Sequence, residues 1–145
     1  MAEDAGSLPL ILVADDVEAN VELLVDQLET LGFRTIVARD APSALAECLD
    51  RRPDLAILDI SMPAGDLGIP DRDAGFEVCR RLKRDARTAR IPVIFVTAYP
   101  ERLLTGERPE PTYLVTKPFE PDTLKATIFQ ALSLATPTAS EARAT

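Results

Sequence analysis

The chain has no histidine, no tryptophan and only two cysteines in 145 residues. Cys48 and Cys79 have no second cysteine beside them, so a zinc-type site built on sulfur or imidazole is excluded and two buried free thiols are expected. A basic surplus is also missing. Lys and Arg number 16 against 24 Asp and Glu, a net charge of −8, which argues against nucleic acid as a direct partner, since phosphate backbones are gripped by excess Lys and Arg. No apolar run approaches the ~20 residues needed to span a bilayer, and Met1 to Ser7 lacks the basic and apolar regions of a signal peptide. A cytoplasmic protein with no membrane insertion is therefore expected. Against these absences, 46% hydrophobic and 28% charged residues describe an ordinary globular chain, with room for one domain and not two.

Strand and helix patterns alternate along it. Leu10-Ile-Leu-Val-Ala14 and Leu55-Ala-Ile-Leu58 are apolar without alternation, the mark of strands buried on both faces of a parallel sheet. Thr35–Ala38, Pro92–Thr97 and Tyr113–Lys117 supply three more. Between them, Val17, Val21, Leu24, Leu28 and Leu31 recur at helical spacing up to Gly32, and Asp40 with Pro42 opens a second helix carrying Ala44, Leu45, Cys48 and Leu49 inward. A third helix has Phe76, Cys79 and Leu82 on one face and Arg80, Arg81, Lys83 and Arg84 on a solvated face, and Pro121 opens a final helix. Residues 100–111 carry three prolines and a glycine, so the fourth helix is expected to be short or broken. This order predicts an α/β fold, a flavodoxin-like doubly wound five-stranded parallel sheet of order 2-1-3-4-5. Residues 9–134 would form the domain, with flexible tails at 1–8 and 135–145.

In that strand order the first, third, fourth and fifth strands end at one edge, where ligands of open α/β sheets bind. Asp15, Asp16, Asp59, Thr97 and Lys117 stand there. Like-charged carboxylates at ~4 Å cost roughly 4 kcal/mol per pair at an effective dielectric of 20, so a proton or a cation must compensate. All-oxygen ligands favour partly hydrated Mg²⁺, with Asp16 and Asp59 as direct ligands, Ser61 offering its backbone carbonyl and Asp15 acting through water. A carboxylate facing such an ion, a hydroxyl and an ammonium is equipped to accept a phosphoryl group. Mg²⁺ and Lys117 would neutralise the phosphoryl oxygens, while the Thr97 hydroxyl and the Ala98 backbone N–H would bind one of them.

Asp15-Asp16, Asp59-Ile-Ser-Met-Pro63, Gly75-Phe-Glu77, Thr97-Ala98 and Lys117-Pro-Phe119 together resemble the signature of the response-regulator receiver domain of two-component signalling, over about residues 9–134. The stretch from Phe95 to Phe119 is similar to the receiver half of PhyR-type regulators of the general stress response and related stand-alone receivers. The resemblance implies that Asp59 is the phosphoacceptor, Asp15 and Asp16 the acidic pair, Thr97 the switch hydroxyl and Lys117 the signature lysine, with a cis bond before Pro118. It also implies a sensor histidine kinase or phosphotransfer protein as phosphodonor and an unidentified downstream protein as target. Glu18 and Asn20 lie where receivers meet their histidine-containing partner.

Two alternatives share some of these parts. A haloacid-dehalogenase-type phosphohydrolase needs an acid two residues after its nucleophile, where this chain has Ser61. A phosphate-independent pseudo-receiver would have no need of the acidic pair, Thr97 and Lys117. The chain also departs from the receiver pattern. Residues 64–74, eleven in all, separate Pro63 from Gly75, more than receivers usually carry. Asp66, Asp71 and Asp73 in this stretch are within conceivable reach of a cation, although a solvated loop overhanging Asp59 is the simpler expectation. Where the family places its switch aromatic this chain has Leu114, so Tyr113 beside it, or Tyr99, is the candidate instead.

Overall fold

The computed structural model describes residues 8–98, 112–117 and 120–135. It contains β1 (Leu10–Ala14), α1 (Glu18–Thr30), β2 (Arg34–Ala38), α2 (Ala41–Arg51), β3 (Leu55–Asp59), α3 (Ala74–Arg84), β4 (Val93–Thr97), β5 (Thr112–Thr116) and α4 (Pro121–Ala135). All strand pairings are parallel and the sheet order is β2-β1-β3-β4-β5, the flavodoxin-like arrangement expected. The α4 helix reaches Ala135, one residue into the expected tail. The expected fourth helix, Tyr99, Pro118 and Phe119, and residues 1–7 and 136–145 lie outside the described residues.

The unalternated strands follow from two covered faces. Leu10, Leu12, Ala14, Ala56, Leu58, Val93 and Phe95 point into a core shared with Ala44 and Cys48 of α2 and Phe76, Cys79 and Leu82 of α3. Their neighbours Ile11, Val13, Leu55, Ile57, Ile94 and Val96 point the other way, onto Leu24 and Leu28 of α1 and Leu124, Ile128 and Ala131 of α4. Each of these strand residues therefore has a helix above or below it and none needs to be polar. Both thiols are free and buried in the first core. Burial pushes Cys48 up to about 12 and Cys79 up to about 11, which keeps them un-ionised at neutral pH and without nucleophilic character.

Helix ends follow local chemistry. The Asp40 carboxylate accepts from the Ser43 N–H at 2.7 Å with Pro42 in the first turn of α2, the cap anticipated above. Gly32 ends the α1 turn at φ +94, a conformation that suits a residue without Cβ. Val17, expected inward, is 48% exposed because it is the N-cap of α1 rather than part of its buried stripe.

Two sequence expectations are sharpened. The stretch after Pro63 is turn-rich and exposed at Gly65, Asp66, Gly68 and Pro70 to Arg72, as expected, but its 3₁₀ turns at Gly65–Leu67 and Asp71–Asp73 also bury Ala64 and pack Leu67 and Ile69 onto the α2/α3 core. Apolar residues spaced through an otherwise polar stretch give it something to bury. The basic face of α3 is solvated, with Arg84 exposed, but three of its residues also have partners. Glu77, one turn earlier, accepts from Arg80 Nη1 at 2.6 Å and Arg81 Nε at 2.8 Å, and the half-buried Lys83 Nζ donates to the carbonyls of Ala89 and Ile91.

The hydrogen bond from Arg81, with help from Arg80, holds the Glu77 carboxyl below its ordinary value. A depressed carboxylate stabilises the fold above its unfolded value and loses that contribution as the pH falls. Glu77→Gln should therefore lower stability at pH 7 by about 1 kcal/mol, the solvent-screened worth of such a pair. Urea denaturation across pH should show the deficit shrinking below pH 4.5, the ordinary value of a glutamate.

Candidate acidic site at the carboxyl edge of the sheet

The β1, β3 and β5 strands deliver charged residues to one edge. Asp15 follows β1, and its backbone N–H donates to the Ala38 carbonyl at 3.1 Å, so the β1 to β2 ladder still holds it in place. Its Oδ1 accepts from the Val17 N–H at 2.9 Å, a side-chain turn that aims the carboxylate back over the sheet. Asp59 is the last residue of β3, level with Val96 of β4, and its Oδ1 accepts from the Ser61 N–H at 3.3 Å. Lys117 follows β5, tied by its N–H to the Thr97 carbonyl at 2.8 Å.

These placements bring the charges together. One carboxylate oxygen from each of Asp15, Asp16 and Asp59 falls within 4.8 Å of the others. Lys117 Nζ donates to Asp15 Oδ2 and to Asp59 Oδ2, both at 3.0 Å. Asp15 is buried, Asp59 and Lys117 are half-buried and Asp16 is exposed. Burial pushes the Asp59 carboxyl up; the hydrogen bond and charge of Lys117 offset this only in part, and Asp15 adds to it. Burial alone would lower the Lys117 ammonium, yet its two carboxylate partners hold it above its ordinary value. One ammonium shared by two carboxylates is firmly charged itself but leaves Asp59 short of compensation. Both oxygens of Asp15 have donors, whereas among the described residues Asp16 has none. A hard cation among these oxygens fits the donor set.

Of the other expected residues, Thr97 is buried at the end of β4, one position beyond Val96, the residue level with Asp59. Ala98 follows it and is exposed. Ser61 is exposed two residues past Asp59. Tyr113 is half-buried against the α1/α4 core and Leu114 against the other. Asp66, Asp71 and Asp73 do not join the carboxylate cluster found among the described residues. Asp71 instead turns its Oδ1 to the Ala64 N–H at 2.9 Å.

Sequence reasoning registered Gly75 only as part of a motif. A Cβ there would lie 2.3 Å from the Asp59 carbonyl oxygen and 2.7 Å from Ile60 Cα, and the Gly75 N–H donates to the Ile60 carbonyl at 2.8 Å. The first turn of α3 thus rests directly on the backbone of the clustered aspartate, a close approach open only to glycine. The eleven intervening residues hid this, because no local pattern shows that the chain returns to Asp59 after them.

A doubly wound sheet with an acidic cluster and a lysine at its carboxyl edge is the architecture of a receiver-type signalling module, and the chain belongs to the response regulator receiver domain family, whose model matches residues 11–129. It is 42% identical over 123 residues to the phyllosphere-induced regulator PhyR of Methylorubrum extorquens, covering 83% of this chain and 40% of that protein. PilH of Pseudomonas aeruginosa is 31% identical over 125 residues, 85% of this chain and 97% of that protein. Among solved structures, the anti-anti-sigma factor PhyR of Bartonella quintana superposes with a TM-score of 0.69 at 35% identity, over 92% of this chain and 51% of that one. The chain thus spans about half or less of the PhyR proteins it resembles. Among the described residues no helix is long and apolar enough to cross a membrane.

The raised Asp59 has a consequence that can be measured without any ligand. A carboxyl raised in the fold weighs against the native state once it ionises, so stability is greatest below the unfolded value and declines as the pH rises through the folded one. In Mg²⁺-free buffer Asp59→Asn should be more stable than the wild type at pH 7. That gain should disappear on titrating toward pH 3.8, the ordinary aspartate value.

Proposed function

We propose that this protein is a response regulator that accepts a phosphoryl group on Asp59 from a phosphohistidine of a sensor histidine kinase or phosphotransfer protein, in an Mg²⁺-dependent reaction. The observation that carries the reading is the Lys117 ammonium bridging Asp15 and Asp59 within a three-carboxylate cluster. Membership of the receiver family supports it.

In this reading an Asp59 carboxylate oxygen attacks phosphorus, the P–N bond to the donor imidazole breaks, and the electron pair returns to the ring nitrogen, which takes up a proton. An ionised aspartate needs no base for this. Asp16 and Asp59 would hold Mg²⁺ directly, with the Ser61 carbonyl as a further protein ligand and Asp15 contributing through water. The carboxylate of Asp16, which has no donor among the described residues, supports its place as a direct ligand. When bound, Mg²⁺ supplies charge compensation for the transferring phosphoryl oxygens. Lys117 moves from Asp15 and Asp59 onto a phosphoryl oxygen, and the Thr97 hydroxyl and Ala98 N–H bind another. The protein then acts as a signalling component rather than a turnover enzyme, by phosphorelay or by phosphorylation-dependent binding of a downstream protein in the cytoplasm. The likeness to PhyR proteins points to a stress-response pathway.

A small phosphodonor such as phosphoramidate with Mg²⁺ should add one acid-stable, base-labile phosphate, detected by intact mass, and Asp59→Asn should abolish it. Continuous release of inorganic phosphate from monoesters would instead indicate a hydrolase, and no reaction a phosphate-independent module. Lys117→Ala should keep Mg²⁺ binding yet lose the change in amide spectrum that follows phosphorylation. A normal spectral response in that variant would contradict the role given to Lys117.

A further inference from the structure

The insertion after Pro63 makes its hydrogen bonds in a pattern that brackets Ser61. The Asp71 carbonyl accepts from the Met62 N–H at 3.1 Å, and the Asp71 Oδ1 from the Ala64 N–H at 2.9 Å. On the other side the Ile60 carbonyl accepts from the Gly75 N–H at 2.8 Å. Residues 60, 62 and 64 are thus each tied to the returning chain, and each is buried. Ser61 between them stays exposed on the side of the acidic cluster, its N–H on Asp59.

The insertion is itself braced from outside. The Ala41 N–H donates to the Pro63 carbonyl at 2.8 Å. Gly65, at φ +59, passes so close to Pro42 that a Cβ would meet its Cγ at 2.7 Å. Arg81 Nη2 donates to the Leu67 carbonyl at 3.3 Å, which links the insertion to the Glu77 pair on α3. The result is a short second strand of contacts laid along residues 60–64 and fastened to α2 and α3.

We propose that this insertion is a splint for the metal and phosphoryl site and that Asp71 is its positioning residue. It sets the orientation of the Ser61 carbonyl, and so the affinity for Mg²⁺, without touching the ion. This rests on the reading of Ser61 as a carbonyl ligand given above. Partners that orient a metal ligand commonly change affinity 10- to 100-fold when removed. Truncation at 71 removes the acceptor of the Ala64 N–H and with it one of the ties that hold residues 60–64. An asparagine at 71 keeps an amide oxygen where the carboxylate oxygen stood, so the charge of Asp71 is not what the splint requires.

The test is titration of the whole protein with Mg²⁺ alone, followed by amide spectra, for wild type, Asp71→Ala and Asp71→Asn. Asp71→Ala should weaken Mg²⁺ binding about tenfold, Asp71→Asn should recover most of it, and all three should reach the same extent of phosphorylation by phosphoramidate at saturating Mg²⁺. Binding by Asp71→Ala equal to wild type, or no recovery in Asp71→Asn, overturns the inference while leaving the phosphoacceptor reading intact. A wild type that binds no Mg²⁺ overturns both. A further measurement needs no variant. Coupling is reciprocal, so saturating Mg²⁺ should slow hydrogen exchange of the wild-type Ala64 amide by a similar factor, and an unchanged rate would refute the splint even if Asp71→Ala does not fold.

Discussion

Three carboxylates within one ion's reach of each other form the constraint around which this molecule is arranged. Left alone they would repel, and among the described residues the fold meets the problem with the ammonium of Lys117, carried in from a strand more than fifty residues beyond Asp59 and a hundred beyond Asp15. That lysine can arrive only if β5 lies beside β4 and β4 beside β3, as the parallel order requires. Compensation is incomplete by construction. A site that leaves Asp59 raised and, among the described residues, gives Asp16 no donor is prepared for further positive charge.

Placement of these groups depends on short polar contacts at strand ends backed by apolar strands that do not move. Asp15 is aimed by the Val17 N–H, Asp59 by the Ser61 N–H, and Lys117 is fixed through the Thr97 carbonyl. Beneath them the two cores grip β1, β3 and β4 from both faces. Close-packed interiors resist small displacements, so shifts at the edge are borne by the edge residues and their loops. Gly75 adds a contact from the helix side that no other residue type would allow.

The insertion after Pro63 is this chain's own variation on the family plan. Its acidic residues suggest cation ligands when read in order, but the structure spends Asp71 on the Ala64 and Met62 amides, and the apolar Leu67 and Ile69 hold the segment to the core. The segment is thus joined to the backbone that leads away from Asp59, so its influence on the site runs through main-chain position.

Much was legible in the linear chain because the physics there is local. Unbroken apolar runs announced doubly covered strands, Asp40 with Pro42 announced a cap, and the charged residues that end those runs named the members of the acidic site. Alternation of strand and helix restricted the strand order, and with it the shared edge. What tertiary structure alone decided is how those members meet: that Lys117 bridges Asp15 and Asp59, that Gly75 lies against the Asp59 carbonyl, that Glu77 gathers the arginines of α3, and that Asp71 faces a backbone amide and not the cluster. Each is a contact between residues whose separation in sequence or side-chain direction carries no periodic signal. Periodicity tells a residue which face to take, whereas the partner on that face is chosen by packing among elements the local sequence does not contain.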